Sequence, residues 1–224
     1  MKKVVRLTES DLTRIIKKII IEDRNQRLIN ESLDESVWTK MWNAFPKQPE
    51  GVDPFFEKII PKKLVSMRKV IPTSWANTCA SRMSMALLGA GLKPGGNYTT
   101  EKTVNFGGQD VPAGSNFNPS SQAFNNILER NFGEPTIINH PGGGVPEEMK
   151  NKKGVYAFKT DAWGDAAGHT DIWDGTKSGG GDHWDVPSEI RFWKVPTKVE
   201  TNAVKCGWGK DVKGYKESGW RCPK

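Results

Sequence analysis

Three runs near the C-terminal end alternate in strand fashion, and the strong helical periods lie upstream of them. The runs are Gly154–Lys159, Gly168–Trp173 and residues 189–195, separated by turns rich in Gly, Asp and Ser. Helical patterns first and an antiparallel sheet afterwards describe an α+β fold, with the helices packed on the sheet. At 224 residues the chain has room for one medium domain with a real core, plus appendages.

Upstream, Trp38, Trp42 and Phe45 fit one helix face, and residues 46–54 break it. Residues 55–70 read as a second helical stretch interrupted at Pro61. Next comes Asn77-Thr78-Cys79-Ala80-Ser81-Arg82-Met83. Here Asn77 or Thr78 can cap a helix whose Met83, Ala86, Leu87 and Ala90 recur at helical spacing. Gly89 and Gly91 end it. Residues 93–119 are rich in Gly, Asn and Thr with little period, so a long loop is expected there, a candidate wall of a substrate groove. Residues 120–132 read as a helix with Phe124, Ile127 and Leu128 apolar and Gly133 as its stop. A short strand at 136–138 leads into the loop His140-Pro141-Gly142-Gly143-Gly144.

The ends differ from the middle in charge. The net charge is +7, but residues 1–30 hold eight Lys/Arg against four Asp/Glu, and residues 197–224 hold seven against three. Residues 31–196 are left nearly neutral, so basicity is no argument for a nucleic-acid-binding fold. The expected organisation is therefore a basic amphipathic helix over 1–30, a domain over 31–196 and a basic Gly-Trp tail over 197–224. Leu12, Ile15, Ile16, Ile19 and Ile20 form the face of the first helix, with Thr8 and Asp11 as a capping pair. Lys17 and Lys18 split its apolar residues and no small-residue cleavage site follows, so a signal peptide is not the reading. No segment approaches the roughly 20 apolar residues of a membrane span. Residues 23–36 read as a polar linker. In the tail, Cys206 and Cys222 bracket Trp208 and Trp220, which suits a stapled hairpin or a weakly ordered end.

Cys79 then stands apart as the odd thiol of three. Most free cysteines are small buried hydrophobes. A thiol at a helix N-terminus, however, sits at the positive end of the macrodipole, which favours thiolate. A cysteine-protease-type site needs such a thiol, a histidine base and a polar group that orients the imidazole. Among His140, His169 and His183, strand-borne His169 follows Cys79 in the right order, and Gly168 before it gives a substrate close access to the backbone. Asp182 is the first choice for the orienting residue and Asp171 the second, because neighbours two apart on one strand rarely orient each other. The backbone N–H of Cys79 would supply part of an oxyanion hole. Three rivals are a metal-dependent hydrolase using His140, His169, Asp182 and His183, a non-catalytic wall-binding module using Trp208 and Trp220, and a phage structural protein with a lysin-like domain. The histidines lack the tight spacing that metal sites favour, so no metal or cofactor is expected.

The two blocks around Cys79 and His169 carry a resemblance. Asn77-Thr78-Cys79-Ala80-Ser81-Arg82-Met83-Ser84 resembles the nucleophile segment of the type VI secretion amidase effectors, family 4. Trp163-Gly164-Asp165-Ala166-Ala167-Gly168-His169-Thr170-Asp171-Ile172-Trp173-Asp174-Gly175 resembles the same family's histidine-bearing strand and the turn after it, and Ile190-Arg191-Phe192-Trp193 its closing strand. The resemblance covers about residues 37–196 and implies an NlpC/P60-like, papain-like fold. It implies Cys79 as nucleophile and His169 as base, and by position in the loop after the Asp-Gly turn it puts the acidic third residue at Asp182. Trp75, Asn77 and Gly168 are the expected substrate-binding residues. The implied reaction is hydrolysis of the bond between γ-D-glutamate and meso-diaminopimelate in the peptidoglycan stem peptide, in an antibacterial effector paired with an immunity protein. The tails depart from the family's compact form, which leaves the route of delivery open: a type VI apparatus, a contractile injection particle or a phage virion, with 1–30 as the loading element. In each case the place of action is the target-cell periplasm, reached without a Sec signal.

Overall fold

A computed structural model describes residues 33–47, 78–163 and 167–197. The expectations for 1–30, for the helical stretch at 55–70 and for the Gly-Trp tail lie outside the described residues. The described elements belong to one packed unit, Leu33–Pro196.

Helix α1 (Glu35–Ala44) starts where the Asp34 carboxylate accepts the Val37 N–H at 2.7 Å. Trp38, Met41 and Ala44 face inward, and Leu33 before the cap is already buried. The linker expected to run to Ser36 does not reach that far: Leu33 is buried, and Asp34 and Glu35 are the cap and first turn of a helix. Trp38 stacks on Trp42 with centroids 5.3 Å apart, and its Nε1–H donates to the Gly154 carbonyl at 3.1 Å. That bond ties α1 to the sheet.

Helix α2 (Cys79–Gly89) is buried along most of its length. Its Met83, Ala86 and Leu87 enter the main core beside Trp38, Phe124, Val155, Ala157, Ile172 and Trp193. Met83 and Leu87 each contribute about 1.5–3 kcal/mol on burial, which fixes the helix against the sheet. Gly91, at φ +81°, lets the chain turn back so that the Leu92 N–H reaches the Leu87 carbonyl at 2.8 Å.

The loop expected over 93–119 is instead a folded excursion. Strand β1 (Tyr98–Thr99) pairs with β4 (Asn116–Phe117), and β2 (Val104–Phe106) with β3 (Gln109–Val111), all antiparallel. Gly107 and Gly108 both have positive φ, as a two-residue hairpin turn requires. Val104, Phe106, Val111 and Phe117 pack with Met85 and Ala44 into a small core of their own. The segment therefore serves α1 and α2 as packing, and strands of two or three residues are too short to show a period.

Helix α3 (Ser121–Phe132) buries Phe124, Ile127 and Leu128 and stops at Gly133, whose carbonyl accepts the Trp193 Nε1–H at 2.7 Å. Four strands then form the main sheet: β5 (Thr136–Asn139), β6 (Gly154–Lys159), β7 (Gly168–Trp173) and β8 (Glu189–Lys194). Their order is β5-β8-β6-β7, antiparallel throughout, with β7 at an edge. Val155, Ala157, Ile172 and Trp193 meet the helices. Tyr156, Phe158, Trp173, Ile190 and Phe192 form the opposite core with Trp184 and Met149. The fold is thus mixed helix and antiparallel sheet. No helix among the described residues is long and apolar enough to cross a membrane.

Candidate active site

Helix α2 packs against β7, which brings its first residue, the free and half-buried Cys79, to the sheet edge. Thr78 holds the cap position but makes no capping bond. Its hydroxyl instead accepts from Arg82 Nε at 2.7 Å, and the same buried guanidinium donates to the Pro46 carbonyl. Arg82 therefore fixes the start of α2 from inside. The first intrahelical bond runs from the Arg82 N–H to the Thr78 carbonyl. The N–H groups of Cys79, Ala80 and Ser81 precede it and have no acceptor within the helix.

His169, on β7, is 5% exposed. The Cys79 thiol is near enough to act on its ring, and its Nε2, which makes no hydrogen bond, lies 3.4 Å from Asp171 Oδ2. Burial alone would lower the imidazole pKa; polar contact and charge from Asp171 and Cys79 outweigh it and raise the pKa to about 9. The ring sits among aromatics: Tyr156, Phe158, Trp163 and His183, the last edge-on at 4.7 Å. Trp163 also meets His183 edge-on at 5.1 Å. The His183 pKa is lowered, first by burial and then by the His169 charge.

Asp171 projects from the same strand face as His169, two residues on, and is fully buried. Its Oδ1 accepts the Ile172 N–H at 2.7 Å. Gly180 N–H reaches both oxygens, at 3.1 and 3.0 Å, and Gly181 N–H reaches Oδ2 at 3.2 Å. These donors arrive because the turn after β7 doubles back along it. Asp174 Oδ1 accepts from Thr176 N and Lys177 N at 2.8 Å, and Gly179 N–H donates to the Ile172 carbonyl at 2.9 Å.

Of the residues expected at the site, the structure brings together Cys79, His169 and Asp171. Asp182 is exposed in the following loop, and its charge is felt by Tyr156 and His183. At Gly168 a Cβ would stand 2.4 Å from the Phe158 carbonyl oxygen, so close strand pairing accounts for that glycine. Trp75 and Asn77 lie outside the described residues. His140 Nε2 bonds the Trp184 carbonyl at 2.7 Å. Among the described residues no three His, Cys, Asp or Glu side chains converge as a metal site. Trp163 and the Gly180–Gly181 donors had no sequence-level role; the glycine run was the available signal, since backbone donors need a chain that can approach closely.

A family model for type VI secretion system (T6SS) amidase effector protein 4, Tae4, matches residues 75–193. The chain belongs to the Tae4 family. The matched span contains Cys79, His169, Asp171 and Asp182. As a Tae4 family member the chain is a T6SS amidase effector, a peptidoglycan-degrading antibacterial protein delivered into target cells. Two Tae4 structures show the same fold. One is the Tae4–Tai4 effector–immunity complex from Salmonella Typhimurium, with a TM-score of 0.51 and 22% identity, covering 71% of this chain and 97% of that one. The other is Tae4 from Enterobacter cloacae, with a TM-score of 0.50 and 20% identity, covering 71% and 96%. No curated protein matches the chain in sequence.

Proposed function

We propose that the chain is a cysteine amidase of NlpC/P60-like, papain-like architecture that cuts the stem peptide of peptidoglycan through Cys79 and His169. The observation that carries this reading is the packing of the helix that begins at Cys79 on the strand that holds buried His169, whose Nε2 faces a carboxylate at 3.4 Å. With Nε2 turned to Asp171, Nδ1 is the nitrogen that takes the thiol proton. The thiolate attacks the amide carbonyl carbon, and the N–H of Cys79 stands where the oxyanion forms. His169 then gives its proton to the departing amine, leaving a thioester on Cys79. A water deprotonated by His169 hydrolyses that thioester and restores the thiol. No cofactor enters this cycle.

The bond in question is that between γ-D-glutamate and meso-diaminopimelate, carried over from the family resemblance. A cognate immunity protein that plugs the site fits the reading too, since the Salmonella neighbour is an effector–immunity complex. The basic segment at 1–30 remains the proposed element for loading into the secretion apparatus. Digestion of purified sacculi followed by mass spectrometry of the muropeptides tests the reaction. Wild type should release fragments ending in γ-D-glutamate, and Cys79→Ala should release none. Fragments cut at another bond would overturn the bond assignment, and equal cleavage by Cys79→Ala would overturn the mechanism.

A further inference from the structure

We propose that Arg82 is a positioning residue for the nucleophile: its guanidinium holds the first turn of α2, and Cys79 with it, by tying the Thr78 hydroxyl to the end of α1. This rests on the Cys79–His169 reading above and adds what fixes the thiol. The start of α1 sets the contrast. There Asp34 has extended backbone, φ −79° and ψ 169°, and its side chain accepts the Val37 N–H. At the start of α2, Thr78 has φ −93° and ψ −3° and makes no capping bond. Its buried oxygen accepts from Arg82 Nε at 2.7 Å instead, and Arg82 Nη1 donates to the Pro46 carbonyl.

A guanidinium keeps its charge throughout the working pH range, and Arg82 is only 2% exposed. Burying such a group is unfavourable unless its donors are used. What it supplies, and an apolar side chain would not, is a rigid link between two points. Nε and Nη1 lie in one plane, so bonding both acceptors sets the distance between them. Pro46 lies just past Phe45, the C-cap of α1, and Thr78 directly precedes Cys79. The link therefore ends one peptide away from the thiol-bearing residue. Further along α2, Ser84 Oγ donates to the Asn118 carbonyl and accepts the Asn118 N–H, both at 3.0 Å. The middle of the helix thus has its own tether, and the Arg82 link governs the first turn. It also governs the donors there. A capping hydroxyl would occupy the Ala80 or Ser81 N–H, in front of the turn from which Cys79 presents its own. Drawn inward to Arg82, the Thr78 hydroxyl leaves that turn uncapped, as the oxyanion step requires.

Kinetics on a soluble stem-peptide fragment, with melting temperatures from circular dichroism, test this. The proteins are wild type, Thr78→Val, Thr78→Ser, Arg82→Lys, the Thr78→Val/Arg82→Lys double variant and Cys79→Ala. Thr78→Val keeps the shape of the side chain and removes the acceptor. It should lower kcat by about 10–100-fold with KM little changed, since a small displacement of the reacting group is costly. Thr78→Ser restores the oxygen and should recover most of that loss. A packing role predicts the reverse, because serine lacks the methyl group that valine keeps. Arg82→Lys replaces the planar fork by a flexible point charge and should lose kcat as Thr78→Val does. The double variant should be no slower than the slower single variant, because both changes remove one link. Thr78→Val leaves the guanidinium and its Pro46 bond in place, so it decides the matter if Arg82→Lys does not fold. The proposal is overturned if folded Thr78→Val keeps the wild-type kcat, if Thr78→Ser is as slow as Thr78→Val, or if the two losses multiply in the double variant. Cleavage by Cys79→Ala would instead defeat the reading beneath it.

Discussion

Gly168→Ala separates two explanations of one residue. The added Cβ would stand 2.4 Å from the Phe158 carbonyl oxygen, and a real Cβ keeps at least 3.0 Å from such an atom. The strands β6 and β7 must therefore part by about 0.6 Å at that end. Overpacking of this kind costs about 1–3 kcal/mol. For a domain of this size that is a drop of roughly 2–12 °C in melting temperature. His169 is the next residue, so the same displacement moves the imidazole against Cys79, and a shift near 1 Å can cost about 100-fold in rate. Thermal unfolding followed by circular dichroism, with kcat and KM on sacculi, reads both effects. Strand contact predicts a lower melting temperature and a lower kcat. An unchanged melting temperature with a raised KM alone would refute it and return Gly168 to the substrate-access role.

The His169 pKa is raised from 6.5 to about 9, so its contribution to stability is fully present below about pH 6.5 and is lost as pH rises through about 9. The melting temperature of wild type should therefore fall across that window relative to His169→Gln, and a constant difference between the two would count against the charged imidazole. Trp38→Ala removes a buried ring stacked on Trp42 and the bond to the Gly154 carbonyl. Denaturant unfolding should show a loss of about 3–5 kcal/mol, and a loss below 1 would mean that α1 is not anchored as described.

The sequence was most legible where a strong period met a clear stop. The strands at Gly154–Lys159 and Gly168–Trp173 fall where the alternation puts them, and α3 ends at Gly133 as expected. Two elements were illegible for local reasons. Asp34 and Glu35 look like linker because capping residues are polar, and strands of two or three residues carry no period. Residue types and chain order could single out Cys79 and His169 as candidates, and the structure packs the helix of the one on the strand of the other. The environment of Asp171 could not be read, because it depends on the turn at Asp174 folding the glycines back onto the strand. A glycine run in sequence shows that backbone will come close to something, but not to what.

The central claim is that a thioester forms on Cys79. Wild-type protein mixed in excess with a soluble stem-peptide fragment, quenched in acid within the first turnover and digested, should carry the acyl group on the peptide containing Cys79. The adduct should be absent from Cys79→Ala, which should also leave the substrate intact. Substrate cleaved by Cys79→Ala, or an acyl group on any other residue, would contradict the account.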